Sequence, residues 1–163
     1  MGARVLACAS SGEKLTLARE HGADALINYG TSDLRERIRA ETAGKGIDVV
    51  YDPVGGAYAE PALRSLAAGG RYLVIGFASG EIPKIALNLL LLKMVSAVGV
   101  FWGAFVTAQP QRNAANLAEL LDWYVQGRLR PHVSATFPLE RFGDALEAIM
   151  QRKVLGKVVL VMD

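Results

Sequence analysis

The sequence has a single cysteine, only two histidines, few aromatic residues (7%) and almost no imbalance of charge. Each shortage excludes something. Cys8 alone cannot close an internal disulfide, and the first residues show no charged-then-apolar leader, so a reducing cytoplasm is the expected setting. His21 and His132 have no second ligand at metal spacing, so no metal site is expected. With 18 basic and 16 acidic residues the formal charge is +2. That gives no strong field for nucleic acid or an anionic membrane, and neither partner is expected. One long apolar run exists, from Ile85 to Val106, but Asn88, Lys93 and Ser96 interrupt it. A central lysine costs about 2.5–3.5 kcal/mol on membrane insertion. The run also changes from a Leu-rich half to a Val/Phe/Trp half, which predicts a buried helix followed by a strand.

What remains is an ordinary globular composition. The 163 residues are 52% hydrophobic and 21% charged, with 17 glycines to punctuate buried elements. That length makes one domain the default. ARVLACAS carries no charge after Arg4 and predicts a strand buried on both faces. SSGEKLTLAREHGA predicts a helix, with Ser10 and Glu13 in capping-box spacing and Gly22 as its stop. ALINY is a second strand. SDLRERIRAETAGKG is a second helix, capped by Ser32 or Thr31 and carrying Leu34 and Ile38 on one face. DVVYDPVGG, YAEPALRSLAAGG and RYLVIGFASG read as strand, helix and strand. Short apolar strands separated by amphipathic helices cannot pair as hairpins, so the physical solution is a parallel sheet with right-handed crossovers. The rest of the chain predicts a Leu-rich helix around Leu87–Met94, a strand around Ser96–Trp102, and an amphipathic helix over Asn113–Gln126. An extended segment, a helix from about Glu140 to Arg152 and a final strand KVVLVM complete it.

A doubly wound sheet binds ligands beyond the carboxyl ends of its strands. After the first strand come Ser10, Ser11 and Lys14. NAD-selective sites place a carboxylate at the end of the second strand of the fold, and that carboxylate would repel a 2′-phosphate. Hydroxyls and a lysine favour NADPH instead. The alternative is that the serines only cap the helix and Lys14 is solvated beside Glu13.

ARVLACASSGEKLTLAREHGADALINY, then GIDVVYDPVGG, RYLVIGFASG and LGKVVLVMD, resemble in order and spacing the cofactor domain of the medium-chain dehydrogenase/reductase superfamily. The likeness is to the zinc-free quinone oxidoreductases and runs from end to end. It implies an α/β fold, a doubly wound, Rossmann-like parallel sheet. It also implies that Ser10, Ser11 and Lys14 approach the 2′-phosphate of NADPH and that Tyr29 lies near the adenine. Val54 and Gly55 would pass under the cofactor, and Phe77, Ala78, Phe101 and Trp102 would line the nicotinamide side. Read without the resemblance, Tyr29 is a strand-end aromatic, and Phe101 and Trp102 are core or dimer contacts.

The chain departs from that pattern at its beginning. A complete member opens with a catalytic domain, a strand and a glycine-rich turn that holds the pyrophosphate. No GxGxxG occurs in the first thirty residues, and the opening element matches the second strand of the pattern. The expectation is therefore a truncated chain. Residues 1–126 would form a partial cofactor-binding domain lacking its first strand, and residues 127–163 a helix and strand that pack with an absent catalytic domain. Losing that strand would leave a gap within the sheet. No catalytic residue is expected. Asp48 and Asp52 flank a buried strand, with Asp52 fixing the DPVGG loop, and Ser79 lies in no nucleophile elbow. The cofactor itself would transfer the hydride. The strand around Val98–Trp102 would lie at the sheet edge, where the resemblance implies a homodimer. The leading expectation is the cofactor-binding part of an NADPH-dependent reductase of quinones or α,β-unsaturated carbonyls, inactive by itself. A non-catalytic nucleotide-binding or dimerisation module, or an enoyl-reductase segment of a larger synthase, are the alternatives.

Overall fold

A computed structural model describes residues 2–151 and 154–162. The chain forms two compact units, Met1–Gly103 and Ala104–Asp163. This division comes ahead of the long helix of residues 110–125, whereas the predicted functional boundary comes after it.

In the first unit, strands and helices alternate: β1 (Leu6–Ala9), α1 (Gly12–Glu20), β2 (Ala25–Asn28), α2 (Leu34–Glu41) and β3 (Ile47–Asp52). A 3-10 turn (Gly56–Tyr58) leads into α3 (Ala59–Arg64), followed by β4 (Leu66–Val74), α4 (Asn88–Lys93) and β5 (Ser96–Gly99). Every strand pair is parallel, as the alternation requires. The fold is thus the predicted α/β architecture, but the sheet is divided. β1 pairs with β2, while β3, β4 and β5 pair in that order, with no ladder joining β1 to β3. β1 is not buried on both faces as predicted: Cys8 is exposed, and among the described residues β1 pairs with β2 alone.

Two apolar clusters hold the unit together. Ile27, Leu34 and Ile38 pack under β2 and α2 and are joined by Leu6, Tyr29 and Ile47. Val50, Leu63, Leu66, Tyr72, Leu89 and Val95 fill the space between β3, β4 and their helices. Ile27 and Leu63 are fully buried, each stabilising the fold by about 1.5–3 kcal/mol. Ile47 begins β3 yet packs against the Ile27 cluster, so α2 covers residues from both sheets.

Several predicted boundaries shift. Helix α1 is capped by Ser11, whose side chain makes no capping bond, so the Ser10–Glu13 box does not form. Helix α2 is capped by Asp33, not by Thr31 or Ser32. Its Oδ1 accepts from Glu36 N at 2.8 Å, and a carboxylate suits the positive helix start better than a hydroxyl. Ser32 Oγ instead donates to Asn28 O. Strand β4 already begins at Leu66, and Gly69 at φ 77° accommodates the register shift that follows.

The apolar run Ile85–Val106 resolves into α4, β5 and a further helix, α5 (Trp102–Ala108). Among the described residues no helix is long and apolar enough to cross a membrane. Strand β5 stops at Gly99, so Trp102 starts a helix and does not end a strand. In the second unit, α6 (Pro110–Val125) starts earlier than predicted because Pro110 occupies its first turn, where no amide donor is needed. Strands β6 (Val133–Pro138) and β7 (Lys157–Val161) pair in parallel. A 3-10 turn (Leu139–Arg141) and α7 (Phe142–Met150) lie between them in sequence. Arg152, the predicted end of that helix, lies outside the described residues.

Candidate functional site

The carboxyl ends of β3 and β4 carry two loops that are bonded to each other. Asp52, the last residue of β3, folds its carboxylate back over the turn, so that Oδ1 accepts from Val54 N at 2.8 Å and Gly55 N at 3.0 Å. This is the loop-fixing role expected of an aspartate before Pro-Val-Gly-Gly. Its other oxygen accepts a hydrogen bond from the Tyr72 hydroxyl. The segment after β4 then closes onto the turn. Ala78 N donates to Pro53 O, Ser79 N to Val54 O and Gly56 N to Glu81 O, at 3.0, 3.0 and 3.1 Å. Two adjacent glycines permit this approach. Gly55 and Gly56 lie at φ 69° and 62°, where a side chain is rarely tolerated. A Cβ on Gly55 would stand 2.9 Å from the Phe77 ring, and one on Gly56 2.8 Å from Ser79 Oγ.

A second group assembles at the ends of β1 and β2. Tyr29 N donates to Ala9 O at 3.1 Å, and Gly30 lies so close to Ser10 that a Cβ would be 3.0 Å from its carbonyl oxygen. Ser10 is exposed, while Ser11 and Lys14 are half-buried. Lys14 has no ion pair among the described residues. The Tyr29 ring meets the Tyr58 ring with centroids 4.3 Å apart. Because Tyr58 ends the 3-10 turn that begins at Gly56, this contact ties the β2 end to the β3 turn.

The structure therefore gathers Ser10, Tyr29, Val54, Gly55, Phe77 and Ala78 along one rim of the strands, with Ser11 and Lys14 in the first turn of α1. Phe101 and Trp102 follow β5, where Val100 N donates to Val74 O at 2.9 Å. Both are exposed, Phe101 at 79%. Beside the rim, Tyr72, Phe77, Ile82, Ile85 and Leu90 line a largely apolar cavity of about 270 Å³.

Sequence reasoning missed Tyr72, Gly56 and Tyr58. Burial raises the Tyr72 phenol above its usual range, and the hydrogen bond to Asp52 and the carboxylate charge raise it further. It stays a protonated donor, which keeps the turn in place. The available signal was weak: a tyrosine in an otherwise apolar strand must find a partner for its hydroxyl, but the sequence does not say which. Among the described residues no cluster of three or more His, Cys, Asp or Glu side chains could hold a metal ion.

Comparison with known proteins agrees with this fold. The family model described as zinc-binding dehydrogenase matches residues 21–160. Quinone oxidoreductase-like protein 2 of Bos taurus is 42% identical over 97% of this chain and 45% of its own length. A 2-haloacrylate reductase of Burkholderia is 32% identical over 99% of this chain and 49% of its own. The crystal structure of Escherichia coli quinone oxidoreductase complexed with NADPH superposes with a TM-score of 0.87 at 28% identity, over 98% of this chain and 50% of that one. The chain thus spans about half the length of these relatives. It belongs to the zinc-binding dehydrogenase family, within the medium-chain dehydrogenase/reductase superfamily, and its likeness there is to the quinone oxidoreductases.

Proposed function

We propose that this chain is the cofactor-binding part of a zinc-free, NADPH-dependent oxidoreductase that reduces quinones or α,β-unsaturated carbonyls. The observation that carries the reading is the rim itself. Two loops at the ends of β3 and β4, the first fixed by Asp52 and the second bonded to it through the backbone, form one side of the rim, while hydroxyls and Lys14 stand after β1 where an NAD-selective site would carry a carboxylate. Relatives named quinone oxidoreductase-like protein 2 and 2-haloacrylate reductase accord with an acceptor bearing a polarised double bond.

In this reading NADPH supplies the hydride, and the chain's residues bind and orient it. Ser10, Ser11 and Lys14 hold the 2′-phosphate, and Tyr29 with Tyr58 packs beside the adenine. Val54 and Gly55 support the cofactor from below, with Phe77 and Ala78, then Phe101 and Trp102, toward the nicotinamide. No side chain is assigned an acid or base role, because a binding and orienting protein leaves that chemistry to the cofactor. We also propose that β5 joins two copies of the chain across its free edge, and that the protein works in the cytoplasm.

Amide NMR titration of the chain with NADPH and with NADH tests the assignment. NADPH should move the resonances of Ser10, Ser11, Lys14 and Tyr29 more than NADH does, and Lys14→Gln should remove the difference, since a lost charge-assisted contact costs roughly tenfold in affinity. Equal responses to the two cofactors, or shifts confined to other residues, would refute it. Without a glycine-rich pyrophosphate turn in its sequence, the isolated chain should bind only weakly. A submicromolar dissociation constant would contradict that part of the reading.

A further inference from the structure

At the opposite end of the strands, where β3 and β4 begin, lies a cavity of about 330 Å³. Its wall is made by α2, the loop Gly44–Gly46, the end of α3, the first residues of β4 and Lys93 of α4. Its ionisable lining is Arg35, Arg39, Lys45, Arg64 and Lys93 against one acid, Glu36. A chain with a formal charge of only +2 thus gathers five of its cations around one hollow. The near-neutral total had given no hint of an anionic ligand.

Two of the five have structural work. Lys93 Nζ donates to Arg64 O at 2.7 Å, neutralising a terminal carbonyl of α3. Arg64 is paired with Glu60 at 2.7 Å. Arg35, Arg39 and Lys45 have neither an ion pair nor a side-chain hydrogen bond to any described residue. Arg35 and Arg39 are one helical turn apart on α2, an arrangement that disfavours the helix because like charges face each other. On the neighbouring face the same helix places Arg37 against Glu41, so an acid partner was within its means. Helices α2, α3 and α4 all end at the hollow, each contributing about half a negative charge, and the five cations still exceed those ends and Glu36 together. The floor is also built closely: Gly46, at φ 82°, would bring a Cβ to 2.8 Å from both Ala67 N and Ser65 O.

We propose that this basin binds a phosphorylated anion carrying at least two linked phosphoryl groups, apart from the proposed cofactor rim. Guanidinium forks pair bidentately with phosphoryl oxygens as they do with carboxylates, and a group of cations this close suits a ligand that concentrates several negative charges. Five lining cations against Glu36 leave an excess of positive charge that suits a multiply charged anion such as a diphosphate. The volume lies at the lower end for small-ligand sites, about 300–1,000 Å³. Strand β3 spans six residues between the basin and the Asp52 turn, a separation of roughly 17 Å at about 3.3 Å per residue. One ligand group cannot serve both.

Calorimetric titration of the whole chain with inorganic diphosphate, and separately with ADP, tests this. Diphosphate should bind with one-to-one stoichiometry, and the triple variant Arg35→Gln, Arg39→Gln, Lys45→Gln should bind at least about tenfold more weakly. Lys14→Gln should leave diphosphate binding unchanged. Should the triple variant fold poorly, Lys45→Gln alone, in an exposed loop, should still weaken binding at an unchanged melting temperature. ADP binding as tightly as diphosphate or more so, and weakened by the triple variant, would identify a nucleotide as the source, and weaker binding the free anion. No binding up to about 1 mM, affinity untouched by the basin variants, or affinity lost on Lys14→Gln would overturn the proposal.

Discussion

At the scale of single residues, the rim depends on Asp52 accepting from two backbone amides and one phenol. Tyr72→Phe removes the phenol donor but keeps the ring, and should cost about 1–3 kcal/mol because a carboxylate oxygen is left with one partner fewer. The cost should depend on pH in a defined direction. The folded protein holds the Tyr72 proton more tightly than its ordinary value of 10.0. Below that pH both states are protonated and the stabilisation is complete. Above it the unfolded chain releases the proton while the folded protein keeps it, so the unfolded state binds fewer protons and stability falls with rising pH. Urea unfolding should therefore show a constant gap between wild type and Tyr72→Phe from about pH 7 to about pH 9, shrinking toward about pH 11. A gap that widens with alkalinity would mean the phenol is not the group responsible. Asp52 was legible in the sequence because Asp-Pro-Val-Gly-Gly is local turn chemistry. Tyr72 was not, because its meeting with Asp52 depends on a register, Val50 opposite Tyr72 and Asp52 opposite Val74, that no local pattern encodes.

At the scale of elements, the alternation of short apolar strands with amphipathic helices was readable, since period and punctuation are local properties. The boundaries were less so. Ser10, Thr31 and Ser32 all have cap chemistry, and the choice of Ser11 and Asp33 was decided by where the preceding strand and turn deliver the chain. The end of β5 was misread for a related reason: Phe101 and Trp102 favour strands by propensity, yet the chain leaves the sheet at Gly99 and turns into α5. What survives is the exposed edge. Among the described residues β5 pairs only with β4, and all four of its residues are exposed. If this edge joins two copies, Val98→Lys should block it, because an edge lysine resists strand pairing without disturbing a core. Sedimentation should show a wild-type dimer and a variant monomer with little change in melting temperature. A wild-type monomer at micromolar concentration, or a variant that stays dimeric, would rule out this edge.

At the scale of the molecule, the division of the sheet is the feature that governs how the chain behaves. Parallel pairing turns alternate peptide groups to alternate sides of a strand. Ala25 N donates to Val5 O and Tyr29 N to Ala9 O, so Val5, Ala7 and Ala9 face β2 while Leu6 and Cys8 direct their peptide groups the other way. On β3, Asp52 O accepts from Ile75 N, which leaves Val49 and Tyr51 turned away from β4. Tyr51 is 67% exposed. The sequence foretold a gap only through family likeness; no composition or periodicity could, because a strand pair is a relation between distant segments. The two free edges have a measurable signature. In hydrogen exchange, the amides of Leu6, Cys8, Val49 and Tyr51 should exchange quickly, while those of Ala7, Val50 and Leu73, held in ladders, exchange slowly. Lengthening the chain at its amino end by an apolar strand and a glycine-rich turn should protect all four and tighten NADPH binding in the same step, since one inserted strand would join the sheets and carry the pyrophosphate turn. If the four amides are already protected in the 163-residue chain, its edges are paired, and the gap has closed by another route.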